Sequence, residues 1–265
     1  MTWFRFGTVH ADACARVFCL PYAGAAAGIF RAWLPLFPTT IEVLGVELPG
    51  RGQRLREPLF TAMPETVAAL ELAIEPLLDR PFVIFGHSVG ALIGYELTRH
   101  LERAGGRVPE HLFVSGCAAP HMPRQERLHN LPEALLIDEL LRMNGTPREL
   151  LEDADLRRIL LPVIRADLSI YETYVHRAGT PLACPITAIS GREDPRAGPS
   201  QMQEWRKYTG SAFTFHTLPG DHFFLNAAGP QIARIVGDAL ANFADPEFMK
   251  RRQEPPPMRE AAGGV

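Results

Sequence analysis

The sequence predicts an α/β fold: a mostly parallel central sheet flanked by helices, with one helical insertion. Three observations carry this expectation. Short β-rich runs alternate with helical patterns along most of the 265 residues, the pattern of a parallel sheet covered on both faces. Residues 81–85 (PFVIF) form a near-continuous apolar run, as a strand buried on both faces requires. Residues 131–176 break the alternation with helical pattern alone, between two strand patterns.

The elements follow in order. Residues 16–20 (RVFCL) read as a strand, 29–36 as a helix and 41–47 (IEVLGVE) as a second strand. Residues 64–78 carry apolar side chains at helical spacing, with Pro64 in the first turn. After strand 81–85 come a helix over 89–103 and a strand over 111–115 (HLFVS). The insertion reads as a lid or as additional core packing, since helical insertions over a sheet edge are often lids. Strands at 185–190 (PITAIS) and 212–218 (AFTFHTL) precede a closing helix at 230–243. Residues 1–245 are therefore expected to form one domain, with the insertion spanning about 120–178. Residues 246–265, charged and proline-rich without apolar periodicity, read as a flexible tail.

Composition narrows the function classes. Hydrophobic residues make up 46% and charged residues 22%, which fits a chain with a real core. The net charge of −3 argues against nucleic-acid binding. Lys207 and Lys250 are the only lysines among 27 basic residues, an arginine bias expected of a GC-rich genome. No run of 18 uncharged apolar residues occurs, and the N-terminus lacks the pattern of a secretion signal. A cytoplasmic protein is expected. Cys14, Cys19, Cys117 and Cys184 match no zinc or thioredoxin spacing and read as small buried hydrophobes in a reducing compartment.

The chemistry starts at Gly86-His87-Ser88-Val89-Gly90, a G-x-S-x-G pattern between strand 81–85 and helix 89–103. A serine there sits on a sharp, strained turn, and glycines two residues to either side remove side chains that would collide. The helix N-terminus turns backbone N–H groups toward the serine. The serine needs a base at the same sheet edge. Among nine histidines, His222 lies just past the last strand, in Leu218-Pro219-Gly220-Asp221-His222. His176, at the end of the insertion, is the other candidate. His216 lies inside a strand, and His87 is expected to point away from the turn. His100, His111, His121 and His129 read as surface or helix-end residues. The base needs an orienting carboxylate. Asp194 follows strand 185–190 in Gly191-Arg192-Glu193-Asp194-Pro195, with Glu193 as the adjacent competitor and Asp221 as a turn residue. The chain order Ser88, Asp194, His222 is that of α/β-hydrolases. Two backbone donors must bind the oxyanion. One is the N–H of Val89. The other comes from the small-residue loop 20–28 (LPYAGAAAG), with Ala23 the choice and Tyr22 the alternative.

From about residue 3 to 243 the sequence resembles the type II thioesterases of polyketide and nonribosomal-peptide pathways. These α/β-hydrolases clear acyl groups from carrier proteins. The resemblance rests on LPYAGAAAG at 20–28, ELPGRGQRLREP at 47–58, GHSVGA at 86–91, LRMNGTPRELLEDADLRRILLPVIRADLSIYETY at 141–174, SGREDP at 190–195 and LPGDHFFL at 218–225. It implies a triad of Ser88, Asp194 and His222, an oxyanion hole at Ala23 and Val89, and a mobile helical lid. It also implies a substrate held on the phosphopantetheine of an acyl or peptidyl carrier protein. The family pattern has His where Tyr22 stands, a second Gly at Ala25 and Met at Val89, so no substrate preference carries across.

Two rival readings use the same residues: a general oxygen-ester hydrolase or lipase, and a non-catalytic carrier-binding protein. A macrocyclising thioesterase is not expected, because such enzymes are usually fused behind a carrier domain that this sequence lacks. No metal, nucleotide or other cofactor is expected, and neither is a membrane or nucleic-acid partner. A monomer is expected. Arg51, Arg54, Arg56, Arg124 and Arg127 read either as a docking rim for an acidic carrier or as solvated arginines.

Overall fold

In a computed structural model, residues 3–6, 13–123 and 127–241 are described. The expected tail at 246–265 and Arg124 lie outside them. The strands are β1 (Phe4–Arg5), β2 (Ala15–Leu20), β3 (Ile41–Val46), β4 (Phe82–His87), β5 (His111–Ser115), β6 (Ile186–Gly191) and β7 (Phe213–Leu218). They form one sheet in the order β1-β3-β2-β4-β5-β6-β7. All neighbours are parallel except β1 against β3.

The apolar runs form strands because both faces of the sheet are covered. Phe18, Leu20, Phe82 and Ile84 enter one apolar core with the inner faces of helices α1 (Met63–Ile74) and α2 (Val89–Arg103). Val17, Cys19, Val83 and Phe85 alternate onto the other face. There they meet Phe30 and Trp33 of a 3₁₀ helix (Ala27–Leu36) and the closing helix. Alternate residues thus face opposite layers, and neither face of the central strands is open to solvent.

Between β5 and β6 the chain forms α3 (Glu133–Met143), α4 (Arg148–Glu152) and α5 (Ala154–Glu172). Asp153 caps α5 by accepting the N–H groups of Asp155 and Leu156, both at 2.9 Å. Leu136, Leu140, Leu151, Leu161, Ile164 and Leu168 build a third apolar cluster within this insertion, and Ala23 packs against it. After β6 comes the short α6 (Pro199–Gln203), and α7 (Leu225–Leu240) closes the fold.

Several boundaries differ from the sequence reading. The helix expected at 29–36 is a 3₁₀ helix that begins two residues earlier, over Ala27–Leu36, and contains Pro35. The closing helix begins at Leu225, not Pro230. Leu225 and Ala228 are buried in the second core, and this packing outweighs the missing N–H of Pro230. The two-residue β1 and the short α6 were not expected.

Strand order also places the site. From β2 the chain moves outward to β3, whereas from β4 it moves the other way to β5. β2 and β4 are adjacent, with Leu20 paired to Gly86. Their following loops diverge, and that switch point opens a crevice at the carboxyl ends of the strands.

Candidate active site

Ser88 sits in this crevice, between β4 and α2. Its backbone adopts φ 55° and ψ −123°, and its N–H donates to the Ser115 carbonyl at 2.8 Å. The flanking glycines are sterically required. A Cβ on Gly86 would lie 2.3 Å from the Gly90 oxygen, and one on Gly90 would lie 2.4 Å from the Leu20 oxygen. Val89 opens α2, so its N–H belongs to the first turn, where amides have no intrahelical acceptor. Val89 and Ala23 line the same cleft as Ser88.

Ser88 Oγ lies 3.1 Å from His222 Nε2. His222 Nδ1 lies 3.0 Å from Asp194 Oδ2. A carboxylate only accepts, so Nδ1 carries the proton and Nε2 is free to accept the Ser88 hydroxyl. Burial of Asp194 opposes its ionisation. The hydrogen bond and charge of His222, with the N–H groups of Arg196 and Ala197, outweigh this and hold its carboxyl below the usual carboxylate range.

The competing residues fall elsewhere. Glu193 is exposed and accepts the Gly220 N–H at 2.7 Å. Asp221 accepts the Phe223 N–H at 2.8 Å and serves the turn. His176 packs against Tyr174 and Tyr208. Tyr22, the alternative oxyanion donor, also lines the cleft, and its ring packs against Phe223.

His87 has a task that the sequence reading did not assign. It is buried at the end of β4, with Nε2 2.9 Å from the His222 carbonyl and Nδ1 2.9 Å from Ser115 Oγ. A carbonyl only accepts, so Nε2 bears the proton and the Ser115 hydroxyl donates to Nδ1. Burial, and then the charge of His222, push the His87 pKa down to about 3, so the ring is neutral. Its role follows from topology. β7 stands three strands from β4, about 14 Å at the usual strand spacing. The loop bearing His222 must cross that gap, and His87 receives it. Gly116 (φ +56°) makes room, since a Cβ there would lie 2.7 Å from the His87 ring.

Two other histidines are also more engaged than expected. His111 stacks on Phe113 and bonds Thr187 Oγ1 at 2.8 Å, and burial lowers its pKa to about 4. His129 bonds the buried Glu172.

The insertion roofs the site. Leu140 and Met143 of α3, with Ile164, Leu168 and Tyr171 of α5, line a cleft over Ser88. Its empty space is about 660 Å³, open solvent at the mouth included. The walls are mainly apolar, and the Ser88–His222–Asp194 row beside them can attack a carbonyl carbon.

The arginines divide in a way neither sequence reading anticipated. Arg51 is buried in a forked ion pair with Asp167. Arg54 is buried, pairs with Glu57 and stacks 3.8 Å from the Trp3 ring centroid. Neither is part of a solvated rim. Arg56 is exposed, and Arg127 donates to the Glu172 carbonyl. Sequence reasoning missed His87 and Asp167. For Asp167 the one local signal was an acidic residue inside an apolar helical stretch.

Known proteins share this sequence pattern and this fold. The thioesterase domain family model matches residues 15–240. A Brevibacillus parabrevis protein named linear gramicidin dehydrogenase LgrE is 41% identical over 245 residues, covering 91% of this chain and 93% of that protein. Among solved structures, the RedJ thioesterase from the prodiginine pathway of Streptomyces coelicolor superposes with a TM-score of 0.82 at 39% identity, covering 87% of this chain and 92% of that one. The type II thioesterase BorB from the borrelidin cluster superposes with a TM-score of 0.82 at 34% identity, covering 90% and 97%. The chain belongs to the thioesterase family of α/β-hydrolases, among the type II thioesterases of polyketide and nonribosomal-peptide biosynthesis.

Proposed function

We propose that this thioesterase hydrolyses acyl thioesters held on the phosphopantetheine arm of carrier proteins, removing aberrant or stalled acyl groups from an assembly line. The observation that carries the reading is the Ser88–His222–Asp194 row, at 3.1 and 3.0 Å, beneath an apolar cleft.

Ser88 Oγ attacks the thioester carbonyl while His222 Nε2 takes its proton. Asp194 keeps the ring in the required tautomer and stabilises the imidazolium. The N–H groups of Ala23 and Val89 bind the tetrahedral oxyanion. The C–S bond breaks, His222 returns its proton to the pantetheine sulfur, and the acyl group stays on Ser88 as an oxygen ester. Water then attacks that ester, giving its proton to His222. Collapse releases the carboxylic acid and restores the Ser88 hydroxyl. Each step uses side chains, backbone N–H groups and water.

In this reading the described part of residues 1–245 works as one domain, and α3–α5 act as its lid. The insertion's own apolar cluster supports this, although Ile170 near the end of α5 also joins the core beneath the sheet. Every named group comes from one chain, so a monomer suffices. No helix among the described residues is long and apolar enough to cross a membrane; a cytoplasmic location is part of the proposal.

The test compares turnover of an acyl-phosphopantetheinyl carrier protein with that of a matched oxygen ester, with Ser88→Ala as control. The reading requires faster release from the carrier and a roughly 10⁴–10⁶-fold loss in Ser88→Ala. Activity on the oxygen ester alone would make the protein a general esterase. No serine-dependent turnover of either substrate by folded protein would favour a carrier-binding role.

A further inference from the structure

We propose that Arg51 and Asp167 form a latch through which the long insertion helix α5 sets the shape of the oxyanion loop. Both are then positioning residues for the reaction at Ser88. The inference rests on the proposed role of the Ala23 N–H as an oxyanion donor.

Three segments distant in sequence meet at this pair. Asp167, on α5, is 1% exposed, and Arg51, in the turn after β3, is 6% exposed. The guanidinium grips both carboxylate oxygens, with Nη1 to Oδ2 at 2.6 Å and Nη2 to Oδ1 at 2.7 Å. Oδ2 also accepts the Gly24 N–H at 2.7 Å. Arg51 Nη1 donates in addition to the Ala25 carbonyl at 3.1 Å. One ion pair therefore holds an N–H and a C=O of the loop that follows β2.

That loop has little freedom left. Gly24 has φ +79°, and a Cβ there would lie 2.5 Å from Ile164 Cγ1. Ile164 precedes Asp167 by three residues on α5, so both project from one helix face. The same face thus crowds the loop and hydrogen-bonds it. The Gly24 amide plane is joined to the Ala23 Cα, so holding that plane and the Ala25 carbonyl narrows the ψ values open to Ala23 and, with them, where its own N–H, one peptide plane earlier, can lie. If the Gly24 N–H leaves Asp167, that restriction on ψ of Ala23 is lifted. A buried ion pair is weak evidence for stability, because desolvation offsets most of the attraction. Its effect here lies in holding one loop geometry, and it makes that geometry depend on where α5 sits.

The test uses two double variants that are both uncharged at the pair. Arg51→Met/Asp167→Asn keeps a side-chain carbonyl for the Gly24 N–H. Arg51→Met/Asp167→Leu removes it. With an acyl-pantetheine thioester, kcat of the leucine variant is expected to fall about 10–100-fold below that of the asparagine variant, with KM within about threefold. The scale is set by the roughly 10²–10³-fold cost of losing one oxyanion donor entirely. Arg51→Met/Asp167→Ala replaces the leucine variant if that protein does not fold. Equal kcat in the two folded doubles, or a change confined to KM, would overturn the latch. Ser88→Ala is measured alongside. If it retains turnover, the proposed function fails. If it is inactive while the doubles match, only the latch fails.

Discussion

His87→Leu tests how the fold delivers its base. The substitution preserves bulk at the end of β4 but removes two buried hydrogen bonds, to the His222 carbonyl and the Ser115 hydroxyl. A buried group left unsatisfied costs about 1–3 kcal/mol. Keeping the wild-type geometry would therefore cost about 2–6 kcal/mol, a large share of a domain's stability. The loop that bears His222 is the softer element and is expected to shift so that its carbonyl finds water. A displacement near 1 Å costs on the order of 100-fold in rate, so kcat should fall by about that factor. His87→Gln can still donate an N–H to the His222 carbonyl and should retain most of kcat.

Acid unfolding supplies an independent check. The folded pKa of His87 is about 3, below the roughly 6.5 of an unfolded histidine. Between those values the unfolded chain binds a proton that the folded chain does not. His87 stability is therefore present above pH ~6.5 and is lost as pH falls toward 3, by at most about 1.4 kcal/mol per pH unit. Leu and Gln at position 87 should both flatten the stability profile in that window, while Leu alone slows turnover. Denaturant melts from pH 7 to 4 and steady-state kinetics on folded protein measure the two effects. Wild-type kcat in folded His87→Leu would refute the bridging role. An unchanged acid slope in both variants would refute the buried neutral ring.

Other substitutions probe different elements. Gly90→Ala places a methyl 2.4 Å from the Leu20 oxygen and should prevent soluble expression or lower stability by about 3 kcal/mol or more. A near-native melt would contradict the close approach of β2 and α2. Asp194→Asn should keep the fold and lower kcat about 10⁴-fold, by analogy with the serine-protease aspartate. A loss below tenfold would move the orienting role elsewhere. Leu168→Trp fills the cleft from α5 and should shift preference toward shorter acyl chains, read as kcat/KM across a chain-length series. An unchanged profile would place the acyl chain outside this cleft.

The sequence made much of the fold legible because its central strands are buried on both faces. PFVIF admits no helical reading once GHSVG follows it, and α2 runs over the expected residues 89–103. Where local pattern and packing disagreed, packing decided. Pro230 resembles a helix start, but Leu225 and Ala228 are drawn into the second core and extend α7 backward. The two residues of β1 are too few for any period, and only pairing with β3 defines them. The candidate site was readable where its parts are anchored to strand ends. Arg51 was not, because its partner is 116 residues away, and a single sequence carries no trace of that distance being closed. The role of His87 was not legible for a related reason. Its task arises from the path of a loop that crosses from β7, which strand assignments alone do not give.

The central claim is that Ser88 attacks the thioester carbon. Rapid-quench mass spectrometry of the enzyme mixed with an acyl-phosphopantetheinyl carrier protein tests it most directly. The account requires the acyl mass on the peptide containing Ser88, formed before the free acid appears and absent in Ser88→Ala. Release of acid with no acylated peptide at any time, or acylation that persists in Ser88→Ala, would contradict it.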